Sequence, residues 1–271
     1  MTTETCNQFG EELERLLILR YSPIALKVLH REEEIPADSL RPLRDRGEHL
    51  AMCQAYAMVR RDRKAITMLA EDHWCVWPLV SFGMRSVAEE DVEDVGSKFF
   101  IQDPKKSVEY FRRDYPRLND TGVIGFTLAP LRSCSFVPDI VTIYCRPAQI
   151  RSLQMAAKFH TGKMLDLKLD PVDSCVHSSI PVLNGQDYNI TFPDPGEYER
   201  AMANEDEVMF TLRTEKLPDI LEALRYLSGA HFGYQELSMS MPTDFPRPEF
   251  YNQMFARWGL ATGEVWRKGE D

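Results

Sequence analysis

The chain has 271 residues, with 32 Lys or Arg against 42 Asp or Glu, so its net charge at pH 7 is −10. This length accommodates one large domain or two closely associated ones. The hydrophobic fraction of 44% and the charged fraction of 27% exclude wholesale disorder. The acidic balance argues against nucleic acid and anionic membrane surfaces as partners, because both attract clustered Lys and Arg. Six dispersed cysteines do not form the framework of a small disulfide-bonded domain.

The N-terminal residues lack the basic and apolar regions of a secretory signal peptide. The longest mostly apolar, uncharged stretch runs from Trp74 to Met84, which is shorter than the ~18 residues that a membrane span requires. We therefore expect a cytoplasmic protein without membrane association. In that compartment thiols stay reduced, and a cysteine serves as a ligand, a nucleophile or a core side chain.

Hydrophobic periodicity predicts alternating helices and strands along residues 1–130. An amphipathic helix with an acidic first turn ends before a Ser-Pro pair, and a largely apolar run with one lysine follows as a buried strand. The predicted elements are a helix over Phe9–Leu19, a strand over Ile24–Leu29, a loop over His30–Gly47, a helix over Glu48–Arg60, a strand over Ala65–Ala70, a helix over Trp74–Met84, an acidic loop over Glu89–Glu93, a helix over Lys105–Arg113 and a strand over Val123–Leu128.

A similar order recurs over residues 131–228, so we interpret the chain as two related, fused halves that form one compact unit. Cys75 and Cys175 each follow a predicted strand and precede a valine. This alternation predicts an α/β or α+β fold, with a mixed sheet and helices packed on it. The second set comprises a strand over Asp139–Cys145, a helix over Pro147–Phe159, a strand over Lys163–Leu169, helices over Ser174–Val182 and Glu197–Ala203, a strand over Glu207–Leu212 and a helix over Leu217–Leu227.

Residues 229–271 form a C-terminal extension of different composition. We expect it to pack against the main unit, and a lid or a homodimer contact is the alternative. Its large apolar side chains are Met239, Met241, Phe245, Phe250, Tyr251, Met254, Phe255, Trp258 and Trp266.

Three of the six cysteines lie in or at the start of predicted helices. Cys53 is inside one helix, whereas Cys75 and Cys175 come just after strand ends, with Asp72 and Asp173 as candidate N-caps. A thiol in the first helical turn lies near the positive end of the helix dipole, so we expect a lowered pKa and a metal-binding thiolate. Ligands also gather at strand ends in open α/β sheets.

Three interpretations of these thiols stay open. They form a shared metal or cluster site, they fill the core, or one is a nucleophile paired with His73 or His177. No CxxC pair is present to anchor a metal site. The other cysteines lack this context, and we assign them to the terminus, a loop and the core, in the order Cys6, Cys134 and Cys145.

Eight short motifs follow one another along the chain: Pro23-Ile-Ala-Leu-Lys27, Met52-Cys-Gln54, Glu71-Asp72…Cys75, Ala129-Pro-Leu131, Pro138-Asp-Ile140, Pro147-Ala-Gln149, Ser174-Cys175 and Asp206-Glu-Val208. Their order resembles the bacterial and archaeal family called domain of unknown function 169, over roughly residues 11–227. The resemblance implies cysteines at the places of Cys53, Cys75 and Cys175. It also implies a fourth cysteine in a Gly-Cys-x-Gly turn before an acidic stretch.

This chain departs from the family at the fourth position. The matching turn is Pro193-Asp194-Pro195-Gly196, so Asp194 stands where the cysteine is expected. The resemblance implies a 4Fe-4S cluster, held here by three cysteines. Asp194 would be the fourth ligand, or one iron would stay open to water or substrate and act as a Lewis acid. In the remaining alternative the cluster is lost and a cavity remains.

Several other residues are candidates for the chemistry. Lys27 interrupts an apolar strand and needs a carboxylate or substrate partner unless it reaches water. Glu71 and His177 are candidate proton-transfer groups, although Glu71 also suits a helix cap. Gln54 would donate a hydrogen bond to sulfur or ligand. The sequence contains none of the familiar loops for ATP, NAD or FAD.

We therefore expect an iron–sulfur enzyme that performs lyase or reductive chemistry on a small oxygen- or sulfur-bearing molecule. An electron-donor protein would be a second partner. A cluster held at all four corners would instead favour electron transfer. The rivals are a metal-free small-ligand-binding protein with a cysteine-lined pocket and a cysteine–histidine hydrolase or transferase.

Overall fold

The structure is a computed structural model that describes residues 1–230, 232–234 and 247–260. The chain divides into a unit of residues 1–234 and a second unit of residues 235–271. The strands of the first unit are β1 (Ile24–Leu29), β2 (Ile66–Leu69), β3 (Gly125–Pro130), β4 (Ile140–Cys145), β5 (Tyr188–Thr191) and β6 (Val208–Arg213). Its helices are α1 (Thr3–Leu17), α2 (Pro42–Arg46), α3 (Met52–Asp62), α4 (Val76–Ser81), α5 (Val92–Gly96), α6 (Pro104–Arg113), α7 (Pro147–Phe159), α8 (Ser174–Leu183), α9 (Pro195–Arg200) and α10 (Leu217–Gly229).

The six strands form one sheet in the order β2-β3-β1-β4-β6-β5, and each pair of neighbouring strands is antiparallel. The predicted class is confirmed, since this is an α+β fold with helices packed on a sheet. The sheet itself is antiparallel and not mixed, because no two neighbouring strands among the six described run in the same direction. The order is mirrored about the central β1–β4 pair, with β2 and β3 corresponding to β5 and β6. A fused duplication would produce this order, and the division into two related halves stays a prediction.

The sheet has a hydrophobic core on each face, because successive strand residues point to opposite sides. Ala25 and Val141 belong to the core that contains residues of α1, α7 and α10. Leu26 and Ile140 belong to the other core, which contains residues of α3, α6 and α8. The candidate cysteines at the starts of α3 and α8 therefore lie on this second side of the sheet.

The predicted strand over Lys163–Leu169 is wrong, because this segment has no regular secondary structure. Leu165 and Leu167 pack half-buried against the first core, while Met164 is 88% exposed. The alternation of apolar residues thus reflects partial burial without a hydrogen-bonded neighbour. The sheet edge is formed instead by β5, which the pattern did not predict.

This difference changes the correspondence between the cysteines. Cys75 follows β2, whereas Cys175 precedes β5, so these two do not occupy like positions. Cys53 and Cys175 occupy equivalent positions instead, because each is the second residue of its helix. Cys53 lies thirteen residues before Ile66, the first residue of β2, and Cys175 lies thirteen residues before Tyr188, the first residue of β5.

Two predicted loops also contain helical turns. The segment His30–Gly47 includes α2, and the acidic stretch after residue 88 leads into α5. No helix among the described residues combines the length and the apolar run that a bilayer crossing requires.

The second unit contains the helix α11 (Glu249–Arg257). Much of the predicted extension, including Met239, Met241, Phe245 and Trp266, lies outside the described residues. Its role as a lid or dimer contact stays a prediction.

Candidate functional site

Cys53, Cys75 and Cys175 come together at the starts of three helices. Cys53 and Cys175 are the second residues of α3 and α8, and Cys75 is the N-cap residue of α4. Cys75 packs against the small apolar cluster that contains Cys53, and both thiols act electrostatically on Cys175. Cys53 and Cys175 are buried, Cys75 is half-buried, and all three are free thiols. The structure therefore groups the three cysteines that the sequence singled out.

The predicted lowering of the thiol pKa values is wrong. Burial, followed by the charges of Glu197 and Asp194, raises the pKa of Cys53 to about 12. Burial also raises the pKa of Cys75 and, together with the neighbouring thiols and carboxylates, that of Cys175. Desolvation of a buried thiolate outweighs the favourable end of a helix dipole. Without a bound cation, these three sulfurs are protonated at neutral pH.

Asp194 is the N-cap of α9, and both of its carboxylate oxygens accept backbone hydrogen bonds. Oδ1 accepts from the N–H of Glu197 at 2.9 Å, and Oδ2 accepts from the N–H of Ser174 at 2.8 Å. One carboxylate therefore ties together the first turns of α8 and α9. Each oxygen retains a further lone pair, so capping does not prevent it from binding a cation.

Neither predicted N-cap aspartate caps a cysteine-bearing helix. The carboxylate of Asp72 accepts from the backbone N–H groups of Leu43 and Leu69 and from the Arg41 guanidinium. Asp173 precedes α8 with a positive φ of 53°, and its side chain makes no cap hydrogen bond. Its Oδ2 instead accepts from the Tyr115 hydroxyl at 3.1 Å.

Two buried carboxyl groups beside the thiols have raised pKa values. Burial and the charge of Asp194 raise the pKa of Asp173 to about 7. Burial also raises the pKa of Glu197 to about 7, although it accepts from the Tyr144 hydroxyl at 2.7 and 2.9 Å. The thiols are thus surrounded by carboxyl groups that bind protons more readily than exposed ones.

Arg200 is a cation that acts on three residues of this group. It lowers the pKa of Cys53, Cys75 and Asp173, in each case against a larger effect of burial. Its guanidinium carbon lies 5.0 Å from the centre of the exposed Trp74 ring. A Cβ atom at position 196 would come within 2.4 Å of the guanidinium, so Gly196 makes room for this side chain.

The four predicted ligands do not have the geometry of a mononuclear metal site. No group of three or more His, Cys, Asp or Glu side chains among the described residues is arranged to hold one metal ion. An iron–sulfur cluster binds each cysteine to a different iron, so its ligand sulfurs surround a larger centre and need not meet at one point.

The predicted proton-transfer residues lie elsewhere, in three cavities that the cysteines do not line. Lys27 borders a cavity of about 710 Å³. Glu71, which pairs with Arg41 at 2.7 Å, borders one of about 440 Å³. His177 borders one of about 540 Å³, and its Nε2 lies 3.1 Å from the hydroxyl of Tyr110.

The other two candidates have local roles. The Gln54 Oε1 accepts from the N–H of Ala51 at 2.9 Å and closes the first turn of α3. His73 packs edge-on against Phe126, and burial lowers its pKa to about 4, so it stays neutral at pH 7.

A family model described as "Uncharacterised ArCR", the domain of unknown function 169, matches residues 12–223. The chain belongs to this family. A protein of Methanocaldococcus jannaschii named only as an uncharacterized protein is 23% identical over 235 residues, which are 83% of this chain and 96% of the relative. No solved structure matches the chain. The resemblance inferred from the motifs is thereby confirmed.

The domain of unknown function 169 segment contains all three cysteines, Asp194 and Arg200. Sequence reasoning missed Glu197 and Arg200 as neighbours of the thiols. The position of Glu197 could have been recognised from its distance to the preceding strand: it lies six residues after the end of β5, just as Cys75 lies six residues after the end of β2. That offset was hidden as long as β5 itself was not recognised.

Proposed function

We propose that this protein is an iron–sulfur enzyme whose cluster is held by Cys53, Cys75 and Cys175. The observation that carries the proposal is the convergence of three free thiols, two buried and one half-buried, at helix starts. Asp194 supplies the fourth ligand, or the fourth iron stays open. The proposed cluster is of the 4Fe-4S type, because that is the type implied by the resemblance to the domain of unknown function 169 family.

The rival functions have less support in the geometry. A cysteine-lined binding pocket would place the thiols around a cavity, whereas the cavities bordered by Lys27, Glu71 and His177 have no cysteine in their walls. A cysteine–histidine nucleophile needs a hydrogen bond between thiol and imidazole. The His177 ring is instead hydrogen-bonded to Tyr110.

When bound, such a cluster supplies either electrons or, at an iron not held by sulfur, a Lewis acid for a small oxygen- or sulfur-bearing substrate. Arg200 stands beside the thiols and would bind an anionic group of that substrate. Trp74 supports the guanidinium from the solvent side. The proton-transfer roles of Lys27, Glu71 and His177 stay predictions.

Partners and location follow from the same proposal. A reductive reaction needs an electron-donor protein, whereas a lyase reaction needs only the small-molecule substrate. All six cysteines are free, as in proteins of a reducing compartment, which supports a cytoplasmic location.

The test is anaerobic reconstitution of the full chain with ferrous iron and sulfide. We expect a brown protein with broad visible absorption and bound iron and sulfide in equal amounts. Cys175→Ser should lose the colour and most of the iron. The matched controls Cys134→Ser and Cys145→Ser, which alter buried thiols elsewhere, should keep both. A colourless, iron-free wild type, or equal iron in all variants, would overturn the proposal.

Asp194 variants distinguish the two forms of the site. If Asp194 is a ligand, Asp194→Cys preserves or strengthens cluster binding, and Asp194→Ala changes the electron paramagnetic resonance spectrum of the reduced protein. If the fourth iron is open, the spectrum of Asp194→Asn matches that of the wild type. Circular dichroism and thermal unfolding of each variant show whether it keeps the overall fold of the wild type.

A further inference from the structure

A separate cavity of about 710 Å³ lies at the end of the sheet where β1 and β4 meet. Lys27 and Asp139 line it, together with Thr214, the last two residues of α8 (Val182 and Leu183) and the following Asn184. Cys175 is at the other end of α8, a helix of ten residues that is about 15 Å long. The cavity is therefore distinct from the candidate metal centre.

Strand register places Lys27 and Asp139 opposite each other. Leu26 pairs with Ile140 in the antiparallel β1–β4 ladder, so the next position across the ladder is Lys27 against Asp139. The Asp139 N–H donates to the Leu26 carbonyl at 2.8 Å, and the Asp139 Oδ2 accepts from the N–H of Val28 at 2.8 Å. The aspartate side chain thus extends the ladder by one hydrogen bond and is fixed at the cavity wall.

Lys27 and Asp139 interact electrostatically but do not form an ion pair. Lys27 lowers the pKa of Asp139 electrostatically, yet burial dominates and raises it. Among the described residues Lys27 forms no ion pair or hydrogen bond through its ammonium group. A half-buried lysine in a cavity of this kind has free donors to offer a ligand.

Thr214 provides an independent sign of a ligand. It is only 6% exposed, and within the described part of the chain its Oγ1 has no hydrogen-bond partner. Its backbone N–H donates to the Asp139 carbonyl at 3.1 Å, so the hydroxyl is held beside that residue. A buried hydroxyl without a partner costs free energy, and a bound molecule would recover it.

Four other charged or titratable side chains in the wall are paired with one another. His30 Nε2 lies 2.8 Å from Asp120 Oδ2, and Arg213 pairs with Glu215 at 3.0 Å. Both pairs border the cavity. The donors and acceptors left for a ligand therefore include the ammonium of Lys27, the hydroxyl of Thr214 and the carboxylate of Asp139.

We propose that this cavity binds a small hydroxy- or amino-carboxylate. Lys27 and Thr214 donate to the ligand carboxylate, and Asp139 accepts from its hydroxyl or ammonium group. Lys27 is thus a binding residue of a second site, not a group of the metal centre. The proposal does not depend on the presence of a cluster.

The test uses the full chain without added iron, titrated calorimetrically with glycolate, lactate, glycerate and serine. Acetate, which lacks the second donor, and inorganic phosphate are the comparators. We expect binding of at least one hydroxy or amino acid, at least tenfold tighter than binding of acetate or phosphate. Lys27→Met should weaken it at least tenfold, and Thr214→Val should weaken it several-fold.

Two further variants make the outcome decisive. Lys168→Met removes a lysine that lines a different cavity and should leave binding unchanged. Thermal unfolding without ligand checks that Lys27→Met is folded, and Lys27→Arg, which keeps the charge, should retain part of the affinity. Absence of binding by all four acids, equal binding by Lys27→Met, or equal binding of phosphate would each overturn the proposal.

Discussion

Arg60 and Glu207 form an ion pair that is shielded from water. Arg60 Nη1 lies 3.0 Å from Glu207 Oε1, and their side chains are 0% and 4% exposed. The guanidinium carbon also lies 4.1 Å from the centre of the Tyr144 ring. Because Arg60 is on α3 and Glu207 immediately precedes β6, the pair links a helix of residues 1–130 to a strand of residues 131–228.

Removing one partner of this pair should be strongly destabilising, because it leaves the other charge buried and uncompensated. We expect Arg60→Met to lower the free energy of unfolding by about 3–5 kcal/mol, measured by urea denaturation. The double variant Arg60→Met/Glu207→Leu should recover much of that loss. The control Arg113→Met breaks an exposed pair with Asp114 and should cost less than about 1 kcal/mol. Similar losses for both single variants would contradict the expectation.

Asp194 should stabilise the fold even without metal, since its carboxylate accepts from two backbone N–H groups. We expect Asp194→Ala to cost about 2 kcal/mol in iron-free protein, measured by urea denaturation. The control is Asp103→Ala, which removes a cap with one hydrogen bond, to Lys105 at 2.9 Å. If Asp194→Ala lowers the free energy of unfolding no more than Asp103→Ala does, the hydrogen bonds by which Asp194 links α8 to α9 do not stabilise the fold beyond an ordinary helix cap.

Gly10 lies where α1 approaches another part of the backbone closely. A Cβ atom there would come within 2.6 Å of the Arg132 backbone nitrogen, which cannot move as a side-chain tip can. We expect Gly10→Ala to lower the melting temperature, with a loss of about 1–3 kcal/mol. At Gly229, the last residue of α10, a Cβ meets nothing within 4 Å. Gly229→Ala should therefore leave the melting temperature unchanged or raise it.

Asp139 should make stability depend on pH. Its pKa is raised in the folded protein above the ordinary value of 3.8, so the native state binds its proton more tightly than the unfolded state does. Its contribution to stability is therefore present at acidic pH and is lost as pH rises through the raised pKa. Asp139→Asn keeps an oxygen to accept from Val28 and removes this titration.

The measurement is the free energy of unfolding of wild type and Asp139→Asn at several values between about pH 4 and pH 7. We expect the free energy of unfolding of Asp139→Asn to increase relative to that of the wild type as pH rises. Asp38→Asn, a control at an exposed aspartate, should not show this trend. A difference between wild type and variant that stays constant with pH would refute the assignment.

Sequence patterns predicted some elements well because local signals and tertiary structure agree there. The strand over Ile24–Leu29 has the bounds predicted for it, since its apolar run follows Pro23 and is buried on both faces of the sheet. The segment Lys163–Leu169 failed because alternation indicates one buried side, which Leu165 and Leu167 achieve without pairing. Whether an extended segment joins a sheet depends on a partner edge that the sequence does not reveal.

The candidate site shows the same division. The helix-start positions of Cys53 and Cys175 were visible in the sequence, and the structure brings both to the site with Cys75. The direction of the thiol pKa shifts could not be predicted from the sequence, because the desolvation of each thiol depends on how α3, α4 and α8 pack. Arg200 was missed because nothing local marks it: its proximity to Cys53 arises from the packing of α9 against α3.

The central β1–β4 ladder joins only three residue pairs, Ile24 to Leu26 against Thr142 to Ile140, whereas β1–β3 and β4–β6 each join six. Cys53 and Cys75 come from one side of this seam, and Cys175 and Asp194 come from the other. A slip of one residue along so short a ladder would turn every side chain of the strand to the opposite face. It would also change the spacing between the side chains from the two sides, so the proposed site requires the two sides of the sheet to be in register.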